Sequence, residues 1–137
     1  MLRPEVIRKR LEKLDGYLNI LENIRNHDRQ AFLSNPEHYG SAERFLQLAI
    51  ETINDMAAHV IAEGNLGVVN RNRDIPACLR THGYIDVELE ERWIRMIGFR
   101  NILVHEYLEV DREIVYETLA HNLADLRKLA GVFAQFL

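Results

Sequence analysis

The sequence contains one cysteine, Cys78, among 137 residues. A single cysteine excludes an intramolecular disulfide and any zinc site built from several thiolates, and we expect Cys78 to be a small buried side chain. The N-terminal stretch has no apolar segment typical of a secretion signal, and no run approaches the roughly 18 apolar residues of a membrane-spanning helix. These absences predict a cytoplasmic protein that does not enter a membrane.

The sequence also lacks an excess of positive charge, since 17 lysines and arginines stand against 21 carboxylates, for a net charge of −4. Proteins that bind nucleic acid through many phosphate contacts are usually basic, because each neutralised phosphate releases counterions. The charge therefore disfavours a wide nucleic-acid-coating surface. It still allows a compact site for one phosphodiester, in which a partner or a dimer groove concentrates the positive charge.

Strand-like alternation is absent, and apolar residues recur at the helical steps of three and four. This periodicity predicts a helix from Pro4 to near Asn26 and a central helix from about Ser41 to Glu63. Between them, Asn35-Pro36 and Gly40 indicate a short helical piece and a turn.

The second half of the chain is predicted to be helical as well. Residues 73–81 form a short helix, Asp86 caps a helix from Val87 to about Glu106, and Asp111 caps the last helix. Residues 1–137 are thus predicted to form a single domain. Its fold class is all-α, an up-and-down bundle of four main helices plus short helices.

Packing alone does not explain the stretch FRNILVHEY, residues 99–107. It places an arginine, an amide, a histidine and a phenol among large apolar side chains: Arg100, Asn101, His105 and Tyr107. Arg100 follows Trp93 by seven residues and Met96 by four, so on a helix it lies on their apolar face. A guanidinium on that face needs a partner, because burying an unpaired charge is costly.

Helical geometry separates these side chains. On one straight helix Arg100 and Tyr107 lie about 20° apart, whereas Asn101 and His105 share a face about 100–140° away from Arg100. Three arrangements still bring the side chains of Arg100 and His105 to one site. The arginine side chain wraps around the helix, the helix ends near His105, or two copies of the segment face each other in a dimer.

The side-chain types suit metal-independent RNA cleavage through a 2′,3′-cyclic phosphate. A histidine can take the proton of a ribose 2′-hydroxyl and return one to the leaving oxygen. An arginine can hold the phosphate and stabilise the transition state, and Asn101 can orient either group. From the spacing alone a structural interpretation is favoured, with His105 as a cap and Arg100 paired with a carboxylate such as Glu106 or Asp111.

The pattern Arg-x4-His-x-Tyr, with a polar residue after the arginine, resembles the motif of the HEPN superfamily, specifically its HepT branch. The resemblance covers about residues 40–125. Within that range ERFLQLAIETINDMAAHVI on the central helix, the short helix around Ile75 to Leu79, and FRNILVHEY follow in the order of the family.

The resemblance implies a homodimeric endoribonuclease toxin whose motif helices meet in a composite RNA-cleaving site. It makes Arg100, Asn101 and His105 catalytic, and it implies no metal and no cofactor. The implied partner is an MntA-like minimal nucleotidyltransferase antitoxin that transfers AMP to Tyr107, where the added phosphates compete with RNA. The alternative is a non-catalytic helical module that binds a nucleotide or substrate for such a nucleotidyltransferase. A plain oligomerisation scaffold is the weakest hypothesis, because it leaves Arg100 and His105 unexplained.

Three arginines precede the motif helix and are hypothetical RNA-binding residues if their loop folds over the groove: Arg71, Arg73 and Arg80. Asp55 and His59 resemble half a metal site, although a satisfied core or interface histidine explains His59 better. Asp55 is also expected to hydrogen-bond a motif residue.

The remaining polar residues receive structural interpretations. Glu43 is expected in a first helical turn, favoured by the helix dipole. His121 is expected in an exposed i,i+4 arrangement with Glu117 and Asp125. The other histidines are predicted to lie in turns, without a constellation: His27, His38 and His82.

Overall fold

The computed structural model describes residues 3–137, with the backbone alone at Tyr107. These residues form six α-helices and no strand, which confirms the all-α prediction: α1 (Pro4–Arg25), α2 (Arg29–Ser34), α3 (Pro36–Glu63), α4 (Ile75–Thr81), α5 (Val87–His105) and α6 (Arg112–Ala134). Short 3-10 turns lie at Asn72–Asp74 and Tyr107–Glu109.

Four long helices, α1, α3, α5 and α6, form the bundle, and α3 is its centre. Helix α3 packs against α1, α6 and α5, and it also contacts the short helices α2 and α4. Helix α5 packs chiefly against α3 and α4 and contacts α6 only lightly. One side of α5 therefore faces away from the bundle. Within residues 3–137, no helix combines the length and apolar character that crossing a membrane requires.

Trp93 joins α5 to the core. Its side chain is fully buried, and its ring meets Phe133 of α6 edge to face, with the centroids 6.2 Å apart. Its indole Nε1 donates to Oδ1 of the buried Asn54 on α3 over 2.9 Å. Burying a large apolar side chain contributes on the order of 2–3 kcal/mol, so this contact fixes the position of α5.

The predicted caps are confirmed at two helices. Asp86 accepts from the Leu89 amide at the start of α5 over 2.8 Å, and Asp111 accepts from the Glu113 amide at the start of α6 over 2.9 Å. Each carboxylate satisfies an amide that has no partner inside its helix, which is worth about 1 kcal/mol.

The predicted start of α3 at Ser41 is wrong, because the helix begins at Pro36. Asn35 caps it by accepting from the Glu37 amide over 2.9 Å, and proline suits the first turn because its missing N–H needs no partner there. Gly40, interpreted as a turn residue, lies inside the helix with no atom within 4 Å of the Cβ position. The proline and the glycine were therefore misread as a break, although both are compatible with helix.

Candidate active site

Helix α5 carries the motif and ends inside it. His105 is the last helical residue, and the amide of Glu106 closes the helix by donating to the carbonyl of Ile102 over 2.9 Å. The backbone of Tyr107 begins the 3-10 turn that leads to α6. The 20° separation of Arg100 and Tyr107 applies only to one straight helix, and α5 instead ends at His105, which is one of the three predicted arrangements. The side chain of Tyr107 lies outside the described part of the structure.

Arg100 points from α5 towards α3, and its side chain is 22% exposed. Its Nη2 donates to Oε1 of Glu51 over 3.1 Å, and Gln47 donates to the same oxygen over 3.2 Å. Its Nη1 donates to Oδ1 of Asn101 over 3.2 Å. The arginine is thus held by Glu51 and Asn101.

The partner of Arg100 was missed in the sequence. The carboxylate partner was expected to be a residue such as Glu106 or Asp111, but Glu51 on α3 binds the guanidinium. Asp55, expected to bond a motif residue, lines the same pocket one helical turn further on. The available signal was a glutamate on the otherwise apolar central helix. Identifying it as the partner of Arg100 required knowledge of how α3 and α5 pack.

The pocket beside Arg100 has a volume of about 300 Å³ and a polar lining, to which α3 contributes Glu51, Asn54 and Asp55 and the loop before α4 contributes Asn72. Nε of Arg100 and Nδ2 of Asn54 are buried, and neither has a hydrogen-bond partner among residues 3–137. Both donors are enclosed as well as unsatisfied, and the carboxylates of the lining disfavour a bare anion deep inside the pocket.

His105 lies in a different place. It is exposed and lines a groove of about 290 Å³ with Glu106, Leu108 and Glu109. Arg100 and His105 therefore line separate pockets of one protomer. The offset of five positions from Arg100 to His105 corresponds to about 140° around an α-helix, which accounts for the separation.

The outward face of α5 carries two isoleucines with a small residue between them, bordered by the exposed polar residues Arg95 and Asn101. Ile94, Gly98 and Ile102 recur every four residues, and Ile102 is 46% exposed. No atom lies within 4 Å of the Cβ position of Gly98. His105 follows Gly98 by seven residues, about 20° away on the helix, so it shares this face.

The three arginines before α5 have different environments. Arg73 lines a pocket of about 260 Å³ with Gly98 and Asn101, so the loop does reach the motif helix. Arg80 is paired with Glu90 over 2.6 Å, which links α4 to α5. Arg71 is exposed, and its backbone amide donates to Asp74. Arg73 is therefore the arginine that lies beside a motif residue, whereas RNA binding by the three stays a prediction.

The other histidines differ in part from their predictions. His121 accepts or donates a 3.0 Å hydrogen bond with Glu117, as expected. Asp125, expected beside it, is instead 5% exposed and accepts from Arg92 over 3.2 Å. His38 lies within α3 rather than in a turn, and its ring stacks on that of His27 with the centroids 4.1 Å apart.

Asp55 and His59 were interpreted as half of a metal site, and the described residues supply no further ligand for it. Among the residues described, no group of three histidines, cysteines or carboxylates has a suitable arrangement for a metal ion. His59 is half-buried, and its Nε2 accepts from the Arg3 amide over 3.5 Å. The satisfied-histidine interpretation therefore fits it better.

Two groups differ from their expected environments. Glu43 lies in the third turn of α3, not in a first turn, and burial raises the pKa of its carboxyl while Arg112 partly opposes the change. Cys78 is half-buried rather than buried, its Sγ donates to the Leu66 carbonyl over 3.2 Å, and burial raises the pKa of the thiol.

The helical bundle and the Arg-x4-His motif at the end of α5 define a HEPN-type domain. The chain belongs to the HepT-like family, since the family model described as Ribonuclease HepT-like matches residues 7–132. The predicted family is thereby confirmed.

Two curated relatives and a solved structure are similar to the chain. The mRNA nuclease HepT of Shewanella oneidensis is 32% identical over 87 residues, which span 64% of this chain and 65% of the relative, just under two thirds. The tRNA nuclease HepT of Aphanizomenon flos-aquae is 29% identical over 122 residues, 89% of this chain and 83% of the relative. The tri-AMPylated Shewanella oneidensis HEPN toxin, solved in complex with an MNT antitoxin, has a TM-score of 0.87 at 25% identity, with 95% and 97% of the two chains covered.

Proposed function

We propose that the chain is a metal-independent endoribonuclease toxin that acts as a homodimer and is neutralised by a nucleotidyltransferase antitoxin. The observation that carries the proposal is the separation of Arg100 and His105 into different pockets on one helix, whose outward face exposes Gly98, Ile102 and His105. The relatives named as mRNA and tRNA nucleases support RNA as the substrate class.

The second copy completes the site. Symmetric dimers present the same surface patch twice, so two α5 helices that pack through their Ile94–Gly98–Ile102 faces approach at the glycine. His105 shares that face and is carried towards the partner. The resulting cleft contains two histidines, and each Arg100 guanidinium is joined to its edge through Asn101, which lies about 60° from Gly98 around the helix.

The chemistry follows from these groups. One His105 accepts the proton of a ribose 2′-hydroxyl, and the 2′-oxygen attacks the adjacent phosphorus. Arg100 stabilises the charge on the phosphate oxygens while Asn101 holds the guanidinium in place. The bond to the 5′-oxygen breaks, and that oxygen takes a proton from the second His105. The products are a 2′,3′-cyclic phosphate and a 5′-hydroxyl.

The test uses purified protein and RNA in the presence of EDTA. We expect cyclic-phosphate ends with wild type and a loss of at least about a hundredfold in rate with His105→Ala, as for removal of a general base. His82→Ala removes another exposed histidine, at the end of α4, and should keep full activity. Equal cleavage by wild type and His105→Ala contradicts the assignment. Nucleotide binding without cleavage supports the alternative, a non-catalytic module.

Tyr107 is the proposed site of modification. Its phenolic oxygen bonds to the α-phosphorus of ATP, pyrophosphate leaves, and the phenolic proton is released. The AMPylated toxin bound to an MNT antitoxin in the similar structure supports AMPylation as the modification, and the motif supports Tyr107 as its site. Co-expression with a nucleotidyltransferase of this kind should add mass in multiples of one AMP unit, and Tyr107→Phe should abolish the addition. Unchanged labelling of Tyr107→Phe contradicts it.

A further inference from the structure

Helices α5 and α6 contact each other only lightly, and a groove of about 600 Å³ lies between them. Its floor is apolar, formed by the buried side chains of Met96 and Phe99 on α5. Its walls carry cationic groups from both helices: Arg92, Arg95 and Lys128. An apolar floor between cationic walls suits a ligand with flat apolar parts joined by anions.

Two of the three cations are free to bind such a ligand. Arg92 is neutralised by the buried Asp125 over 3.2 Å and by Glu88 over 3.6 Å. Asp125 also accepts from Asn122 over 3.1 Å, so its carboxylate is well satisfied. Arg95 and Lys128 are exposed, and the ion pairs found within residues 3–137 include neither of them.

The groove also borders the proposed catalytic face. Arg95 precedes Gly98 by three residues, about 60° around α5, and precedes His105 by ten residues, about 15 Å along the helix. A strand that leaves the cleft beside His105 can therefore enter this groove without crossing the bundle.

We propose that the groove between α5 and α6 binds a short single-stranded segment of the RNA next to the bond that is cut. Arg95 and Lys128 hold backbone phosphates, and the bases lie over the groove floor, where Met96 and Phe99 leave a small apolar area accessible. The proposal rests on the proposed ribonuclease function. It also explains how a chain with a net charge of −4 binds a polyanion, since the free cations are concentrated beside the cleft.

The test measures binding of a fluorescent 2′-O-methyl oligonucleotide, which has no 2′-hydroxyl to attack and is not cleaved. Anisotropy titrations at several salt concentrations compare wild type with Arg95→Gln/Lys128→Gln. We expect at least about a tenfold loss of affinity at low salt. The slope of log affinity against log salt should become shallower by about 1.4, because each phosphate contact on a single strand contributes about 0.7.

The matched control is Lys9→Gln/Lys13→Gln, which removes two exposed charges from α1. It should leave the slope unchanged, and an equal effect of both double variants overturns the proposal because net charge then explains the loss. Ala124→Arg adds a cation to the groove wall and should tighten binding, whereas Ala58→Arg on the exposed side of α3 should not. A gain of affinity cannot arise from misfolding.

Cleavage assays separate this proposal from the ribonuclease proposal. If wild type cleaves RNA and Arg95→Gln/Lys128→Gln binds the oligonucleotide with unchanged affinity and slope, the groove assignment is wrong and the nuclease stands. If wild type and His105→Ala show the same RNA cleavage, or none, the nuclease assignment fails whatever the groove binds. The groove proposal and the ribonuclease proposal are both supported if Arg95→Gln/Lys128→Gln raises the KM for RNA cleavage and leaves kcat unchanged.

Discussion

The guanidinium of Arg100 on α5 is bound by the carboxylate of Glu51 on α3 over 3.1 Å, and both side chains are largely covered, at 22% and 29% exposure. The pair joins the proposed catalytic helix to the central helix of the bundle. Glu51 therefore fixes the direction of the Arg100 side chain. Its negative charge also offsets part of the positive charge of the guanidinium that would bind a phosphate.

We predict that Glu51→Ala lowers both activity and stability. Arg100 would lose its carboxylate in a mostly covered place, and an unsatisfied polar group there costs about 1–3 kcal/mol. RNA cleavage should fall about tenfold or more through kcat, while Glu51→Gln, which keeps an acceptor oxygen, should recover part of it. Steady-state kinetics and urea unfolding measure the two effects.

The control for Glu51 is Asp15→Asn, which weakens another interhelical ion pair, with Arg127 over 2.7 Å. That variant should change stability slightly and leave kcat as in wild type. Equal kcat values for Glu51→Ala and wild type would show that the pair does not position Arg100 for the reaction.

We predict that Gly98→Leu dissociates the proposed dimer and abolishes the proposed RNA cleavage. The position is open in one protomer, so leucine fits there, but it blocks close approach of a second α5. Gly16→Leu on α1 is the matched control, because that glycine is also helical, exposed and without an atom within 4 Å of its Cβ position. Replacing either glycine should stabilise the isolated helix by roughly 0.5–1 kcal/mol.

Analytical ultracentrifugation measures the oligomeric state of the two glycine variants. A Gly98→Leu variant that is still dimeric and active would contradict the proposed interface. A monomeric Gly16→Leu would show that the method does not distinguish the faces.

We predict that Glu43→Gln raises the melting temperature at pH 7. Burial raises the pKa of this carboxyl in the folded protein above its ordinary value of 4.5, so folding favours the protonated form. The associated stability is complete below about pH 4.5 and is lost as the pH rises through the folded-state pKa. Glutamine is neutral at every pH and avoids that loss.

The gain from Glu43→Gln should disappear when melting is measured near pH 3.5, about one unit below the carboxyl's ordinary pKa. Glu12→Gln on the exposed side of α1 is the control and should show no such dependence. An advantage of Glu43→Gln that is constant from pH 3.5 to 7 would contradict the burial argument.

The fold was largely predictable because it rests on local patterns. The apolar stripe of α1 and the caps Asp86 and Asp111 set helix positions within a few residues. The start of α3 was missed because Pro36 and Gly40 are turn signals that a helix also tolerates, the first at its beginning and the second where no side chain is needed.

The site residues stay a prediction, and their contacts were only partly predictable. Spacing along one helix correctly separated His105 from Arg100. The spacing carries no information about the contact of Arg100 with Glu51, which is 49 positions away in sequence, or about the burial of Asp125. Both depend on how two helices pack. Interhelical partners of charged residues are a tertiary property that periodicity does not encode.

The end of α5 at His105 also determines how Tyr107 is presented to an enzyme. A residue inside a helix reaches a foreign active site only after several backbone hydrogen bonds have opened, which costs free energy through local unfolding. Tyr107 begins a three-residue turn between two helices. An enzyme that modifies Tyr107, as proposed, meets it in a single 3-10 turn and does not have to unwind α5.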